Sequence, residues 1–150
     1  MYYETISKAM LENCMSVIVR RTRQSRNLSI GMFVNHGSKD ENLTNNGISH
    51  FIEHMAFNHE SMNDSAKKLV GDLLDNGAQY EAYTGKEMTR CCITSQASYS
   101  DSIINALSEI VKFNNVSEKR LRHERTIILQ EAATYYASSR IKTELSERTL

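Results

Sequence analysis

Proline is absent from the 150 residues, so long uninterrupted helices meet no obstacle. Charge of one sign is not in excess: 18 lysines and arginines face 18 aspartates and glutamates, and the formal net charge is zero. That balance implies no global pull toward nucleic acid or an anionic membrane surface, and neither is an expected partner. No apolar run reaches the roughly 18 residues a membrane-spanning helix needs. Low-complexity tracts and internal repeats are also missing. The opening Met1-Tyr2-Tyr3-Glu4 lacks a basic segment followed by an apolar one, and arginine is too sparse there for a transit peptide, so no targeting segment is expected. The three cysteines, Cys14, Cys91 and Cys92, are odd in number and two are adjacent. This excludes a disulfide framework and a C-x-x-C zinc site, and fits packing on strands in a reducing, cytoplasmic compartment. What remains is a length suited to one compact domain with a real core.

Val17-Ile18-Val19 within 15–20 and the apolar stretch 28–35 predict two strands. The basic link carrying Arg20, Arg21, Arg23 and Arg26 is short and has no interleaved aromatics, which fits a solvated hairpin turn better than a nucleic-acid patch. A Gly-, Ser-, Asp- and Asn-rich loop over 36–46 follows, and Thr44 or Asn45 could cap a helix running through Phe57. In that helix Ile48, Phe51, Ile52, Met55 and Ala56 recur at helical spacing. A second helix starts at Asp64 or Ser65, carries Ala66, Leu69, Val70, Leu73 and Leu74, and stops at Asn76-Gly77. Strands over 79–84 and 88–95 flank the turn Gly85-Lys86-Glu87. A third helix starts at Ser100 or Asp101 with Ile103, Ile104, Leu107, Ile110 and Val111, and a fourth, capped by Ser117, runs nearly to Leu150. The order β-β-α-α-β-β-α-α predicts an α+β domain with helices covering a mixed sheet. The last residues carry no turn signal, which predicts a domain truncated at its C-terminal end.

The chemistry concentrates in His50-Phe51-Ile52-Glu53-His54. Helical positions i, i+3 and i+4 share a face, so both imidazoles and the carboxylate can converge. Two neutral imidazoles suit zinc, and a nearby carboxylate suits a base for its bound water. The order H-x-x-E-H inverts the commoner H-E-x-x-H motif. A catalytic zinc commonly takes three protein ligands. Glu124 and Glu131 are two turns apart on one helix face, so one could ligate while the other orients a ligand or the water. Taken alone, that pair reads as a solvated face with Arg120 and Arg125 as partners. His36, His59 and His123 are read as a loop residue, a helix C-terminal contact and a residue off the face of Glu124.

These residues form an ordered series that resembles the inverted-motif zinc peptidases: pitrilysin, insulin-degrading enzyme, and mitochondrial processing peptidase with its bacterial relatives. The series comprises Leu11-Glu12-Asn13 before Val17-Ile18-Val19, the loop 37–41, and the motif within 47–57. It continues with Asn76-Gly77, Ala82-Tyr83-Thr84, Glu87-Met88-Thr89, and Glu124-Arg125 with Glu131. The resemblance covers nearly all of the chain after the first ten residues. It implies that His50, His54 and Glu131 ligate Zn2+, that Glu53 is the general base, and that Glu124 is a second acidic residue near the site. It also implies an edge strand at Glu81-Ala82 to which an extended peptide or unfolded polypeptide adds through main-chain hydrogen bonds. The implied activity is that of a zinc metalloendopeptidase or processing peptidase. The alternative is a zinc-stabilised, non-catalytic fragment or partner subunit. Family members close two related halves, so a second homologous half or subunit is an expected partner.

The chain departs from the family pattern at several places. Glu81 replaces the usual Asn, which would favour basic or neutral peptides beside it. Cys91 stands where an aromatic is common, and Cys14 where Gly is usual. The Gly-Thr that often follows the motif helix is missing around Asn58-His59-Glu60, and a proline is missing near Asn114-Asn115. None of these touches the implied metal set.

Overall fold

The computed structural model describes residues 5–22, 25–112 and 116–147, with side chains described through residue 137. The opening 1–4, Arg23 of the basic link, the Asn114-Asn115 pair and the terminal 148–150 lie outside the described residues.

Two sheets form. β1 (Thr5–Met10) pairs antiparallel with β2 (Ser16–Arg21) around a turn in which Cys14 adopts φ 64°. That left-handed conformation is one glycine occupies without cost. Cys14 is exposed there, whereas packing on a strand was expected. β3 (Asn27–Val34), β4 (Gln79–Thr84) and β5 (Thr89–Gln96) form the second sheet in the order β3-β5-β4. Three features differ from expectation. β1 is an additional strand. Every strand pair among the described residues is antiparallel, not mixed. The basic link joins two sheets and is no hairpin turn, because β2 pairs with β1 and β3 with β5. The α+β class holds, with four α-helices among the described residues.

β5 is the central strand, and its burial alternates as a half-covered sheet requires: Thr89, Cys91, Ile93 and Ser95 face inward. Against that face lie α1 (Ile48–Phe57), α2 (Asp64–Asp75) and α3 (Ser100–Val111). They contribute Ala56 and Phe57, then Ala66, Val70 and Leu73, then Ile103, Ala106, Leu107 and Ile110. The buried stripes are narrower than the sequence suggests. Ile48, Ile52, Leu74, Ile104 and Val111 remain exposed, and Ala106 is buried instead. α4 (Glu118–Glu147) packs against α1.

The helix caps also differ. Neither Thr44 nor Asn45 caps α1. Gly47 occupies the cap at φ 88°, and the Glu41 carboxylate accepts from the amides of Gly47 (2.7 Å) and Ser49 (2.8 Å). An anionic cap suits the positive end of the helix dipole. Asn63, not Asp64 or Ser65, caps α2 by accepting from Ala66 N at 2.8 Å. Ser117 caps α4 as expected, accepting from Arg120 N, and Gly77 at φ 80° ends α2. The loop before α1 is docked on the β4–β5 turn. Ser38 N donates to Gly85 O (3.1 Å) and Lys39 N to Lys86 O (2.9 Å). A Cβ on Gly37 would meet both carbonyl oxygens at 2.5 Å, so this close approach requires glycine.

Candidate metal centre

α1 presents His50 and His54 one turn apart, and α4 passes alongside with Glu131. The two Nε2 atoms are 3.2 Å apart. Glu131 Oε2 lies 3.4 Å from His54 Nε2 and 3.8 Å from His50 Nε2. A tetrahedral zinc with ligand bonds near 2.0–2.2 Å holds its donor atoms about 3.3–3.5 Å apart. The three donors therefore have the type and the spacing of a zinc ligand set, and these residues could hold a metal. His54 is nearly enclosed, with its side chain 12% exposed, while His50 (42%) and Glu131 (51%) open toward solvent. The group is thus half-open, with one anchored donor and two accessible ones.

The anchor is Glu124, which is 0% exposed. Its Oε2 lies 3.1 Å from His54 Nδ1. A carboxylate only accepts, so Nδ1 must carry the proton. In the neutral ring Nε2 then keeps its lone pair and faces His50 and Glu131. Ser61 Oγ and Asn58 Nδ2 also donate to Glu124. Arg120 on the same helix donates to Met55 O, joining the start of α4 to α1.

Glu53 is half-buried on the same helix, and its Oε2 accepts from Thr84 Oγ1 at the end of β4. A second tie between α1 and β4 is Tyr80, whose hydroxyl donates to Phe57 O at 2.6 Å and accepts from Cys91 Sγ at 3.4 Å. Burial, more than the Cys91 neighbour, pushes the Tyr80 phenol well above its ordinary pKa, and burial pushes the Cys91 thiol up to about 11. Both groups stay neutral and serve as packing. Glu81 and Ala82 lie on β4, an edge strand of its sheet. Their side chains point to opposite faces: Ala82 packs on the core, and Glu81 is exposed opposite Cys92. Ile127, Gln130, Thr134 and Tyr135 share an open face of α4 with Glu131.

The structure thus brings His50, His54, Glu124 and Glu131 together across the α1–α4 contact, with Glu53 one helical position away. It places Glu81 and Ala82 along the strand that ends at Thr84. His36 and His123 lie on the surface, while His59 Nε2 faces Lys67 O of α2, not the end of α1. Sequence reasoning missed Glu41, Asn58, Ser61 and Thr84. Thr84 lies in the Ala-x-Thr segment and could have been found there. Asn58 and Ser61 lie where the pattern departs, and no local signal marks them.

An α+β body with a His-His-Glu group spanning two helices defines a class of domain that could hold a catalytic-type metal. The comparisons are narrower. The profile of the family described as Insulinase (Peptidase family M16) matches residues 16–149, and the chain belongs to that family. It is 30% identical over 130 residues to a Rickettsia felis protein named as an uncharacterized zinc protease, covering 87% of this chain and 31% of that protein. It is 28% identical over 122 residues to the beta subunit of mitochondrial-processing peptidase from Saccharomyces cerevisiae, covering 81% of this chain and 26% of the subunit. The crystal structure of a protease from Helicobacter pylori shares the fold, with a TM-score of 0.76 at 21% identity, over 86% of this chain and 31% of that one. The chain therefore spans about a third or less of these relatives' lengths. Among the described residues no helix is long and apolar enough to cross a membrane.

Proposed function

We propose that this chain is the catalytic domain of a zinc metallopeptidase, an endopeptidase or processing peptidase, and forms the N-terminal part of its catalytic half. The observation that carries the reading is the spacing of His50 Nε2, His54 Nε2 and Glu131 Oε2 in a member of the M16 family. Those three residues would hold Zn2+. Zinc bound there would lower the pKa of a water to about 7 and polarise the scissile carbonyl. Glu53, steadied by Thr84, takes the proton of the attacking water and passes it to the leaving amine. Glu124 acts from behind His54, holding its ring and tautomer. The unpaired edge of β4 around Glu81-Ala82 takes an extended peptide by strand addition. Three free thiols fit a reducing compartment.

A second reading is favoured by the share of the relatives that the chain spans. In it the 150 residues bind zinc but cleave nothing until a second homologous half or subunit joins them. One experiment separates the readings. Glu53→Gln is expected to retain zinc and lose peptide cleavage, by at least the ~100-fold that general-base catalysis contributes. Cleavage by the parent chain alone favours the first reading, and cleavage only after adding a second polypeptide favours the other. Equal activity of parent and Glu53→Gln would refute the mechanism.

A further inference from the structure

The segment after the motif helix departs from the family pattern, and it reaches the buried carboxylate behind the site. Asn58 ends α1, and residues 59–61 form a single 3-10 turn. Asn58 is held at both ends of its amide. Its Oδ1 accepts from Glu60 N at 3.1 Å, which caps the turn, so Nδ2 is directed at Glu124, 3.4 Å from each carboxylate oxygen. Ser61 is itself buried, 3% exposed, and its hydroxyl donates to Glu124 Oε1. With Oε1 occupied by Ser61, Oε2 is left to His54 Nδ1. A carboxylate at 0% exposure cannot recruit bulk water, so its orientation is decided by the donors around it.

We propose that Ser61 and Asn58 are positioning residues of the site: together they fix the Glu124 carboxylate so that Oε2 faces His54 Nδ1 and the Nε2 lone pair points at the metal position. Ser61 fills one oxygen, and Asn58 restrains rotation of the group between the two. This rests on the reading of His54 Nε2 as a zinc ligand.

The test uses the full chain and two readouts: zinc affinity by competition with a chromophoric chelator, and the His54 ring tautomer by nitrogen NMR of the metal-free protein. Ser61→Ala should weaken zinc binding about 10-fold, the scale set by loss of an outer hydrogen-bond partner, and should give His54 a mixture of tautomers. Ser61→Thr should restore both. Asn58→Asp keeps the oxygen that caps the turn but replaces the donor with a like charge, and should weaken zinc as much as Ser61→Ala. It also decides the matter if Ser61→Ala fails to fold. Parent-like affinity together with a single parent-like His54 tautomer in both variants would overturn the proposal. If the parent binds no zinc while His54→Ala leaves the fold intact, the zinc reading fails. The tautomer comparison still decides the roles of Ser61 and Asn58.

Discussion

Two turns of one helix carry two glutamates that look alike in sequence and sit in opposite environments. Glu124 lies where α4 crosses α1, at 0% exposure, surrounded by His54, Asn58 and Ser61. Glu131 lies two turns on, still beside α1, with its side chain 51% exposed and one oxygen turned toward both imidazoles. The buried carboxylate has its hydrogen bonds satisfied by protein and is not free to ligate. The exposed one has no comparable cage and can accept a cation. Burial therefore separates two positions that a seven-residue spacing leaves alike. Different costs are expected from it: losing Glu124 should harm fold and site together, and losing Glu131 the site alone.

The largest effect should come from Glu131→Gln, which is expected to lose zinc by more than the ~100-fold upper end seen for outer partners. The metal-free fold should stay within about 0.5 kcal/mol of the parent, because the side chain is half exposed. Metal analysis alongside urea titration checks both halves, and full zinc content would end the assignment of Glu131 as a ligand. Glu124→Ala should come next. It strands the buried donors of His54 and Ser61, at about 1–3 kcal/mol each for groups left unsatisfied, and weakens zinc by about 10–100-fold. If it cost no more stability than Glu131→Gln, the contrast between the two turns would collapse.

Glu41→Gln probes the other end of the motif helix, with an expected loss of about 1 kcal/mol, typical of a cap. Its acid dependence has a definite sign. Burial pushes the Glu41 carboxyl up, but the donors of Gly47 and Ser49 and the charge of His36 together outweigh it, so its pKa lies below the ordinary 4.5. The stabilisation is therefore full above 4.5 and disappears as pH falls through the lower folded value. Thermal melts of parent and Glu41→Gln should converge in acid, and a constant difference across pH would exclude this role. The smallest effect belongs to Ile6→Ser on the β1–β2 hairpin. Ile6 is 62% exposed there, and the change should stay within about 0.5 kcal/mol. A larger loss in a urea titration would show that the hairpin is packed in solution.

Much of this was legible in the linear chain. The strand over Gln79–Thr84, the stop at Asn76-Gly77, the start of α4 at Ser117 and the α+β class follow from turn chemistry and periodicity, which are local. The pairing partner of β2 was not legible, since register and sheet membership depend on contacts between distant segments. The width of each buried stripe was overestimated at Ile48, Ile52, Ile104 and Val111, because periodicity gives the direction of a face and not how much of it is covered. The cap of α1 was missed because Glu41 reaches it from six residues upstream, beyond any local capping pattern.

For the site, the sequence alone determined the donor types: two imidazoles and a carboxylate on one helical turn, and two further carboxylates on another helix. Residue chemistry and helical spacing suffice for that. The resemblance to the family already implied Glu131 as the third ligand and Glu124 as a second acidic residue. Only the tertiary structure set Glu124 behind His54 and buried it, because depth depends on how α4 packs on α1. It alone brought in Asn58 and Ser61, whose importance comes from facing a buried charge that lies more than sixty residues away along the chain.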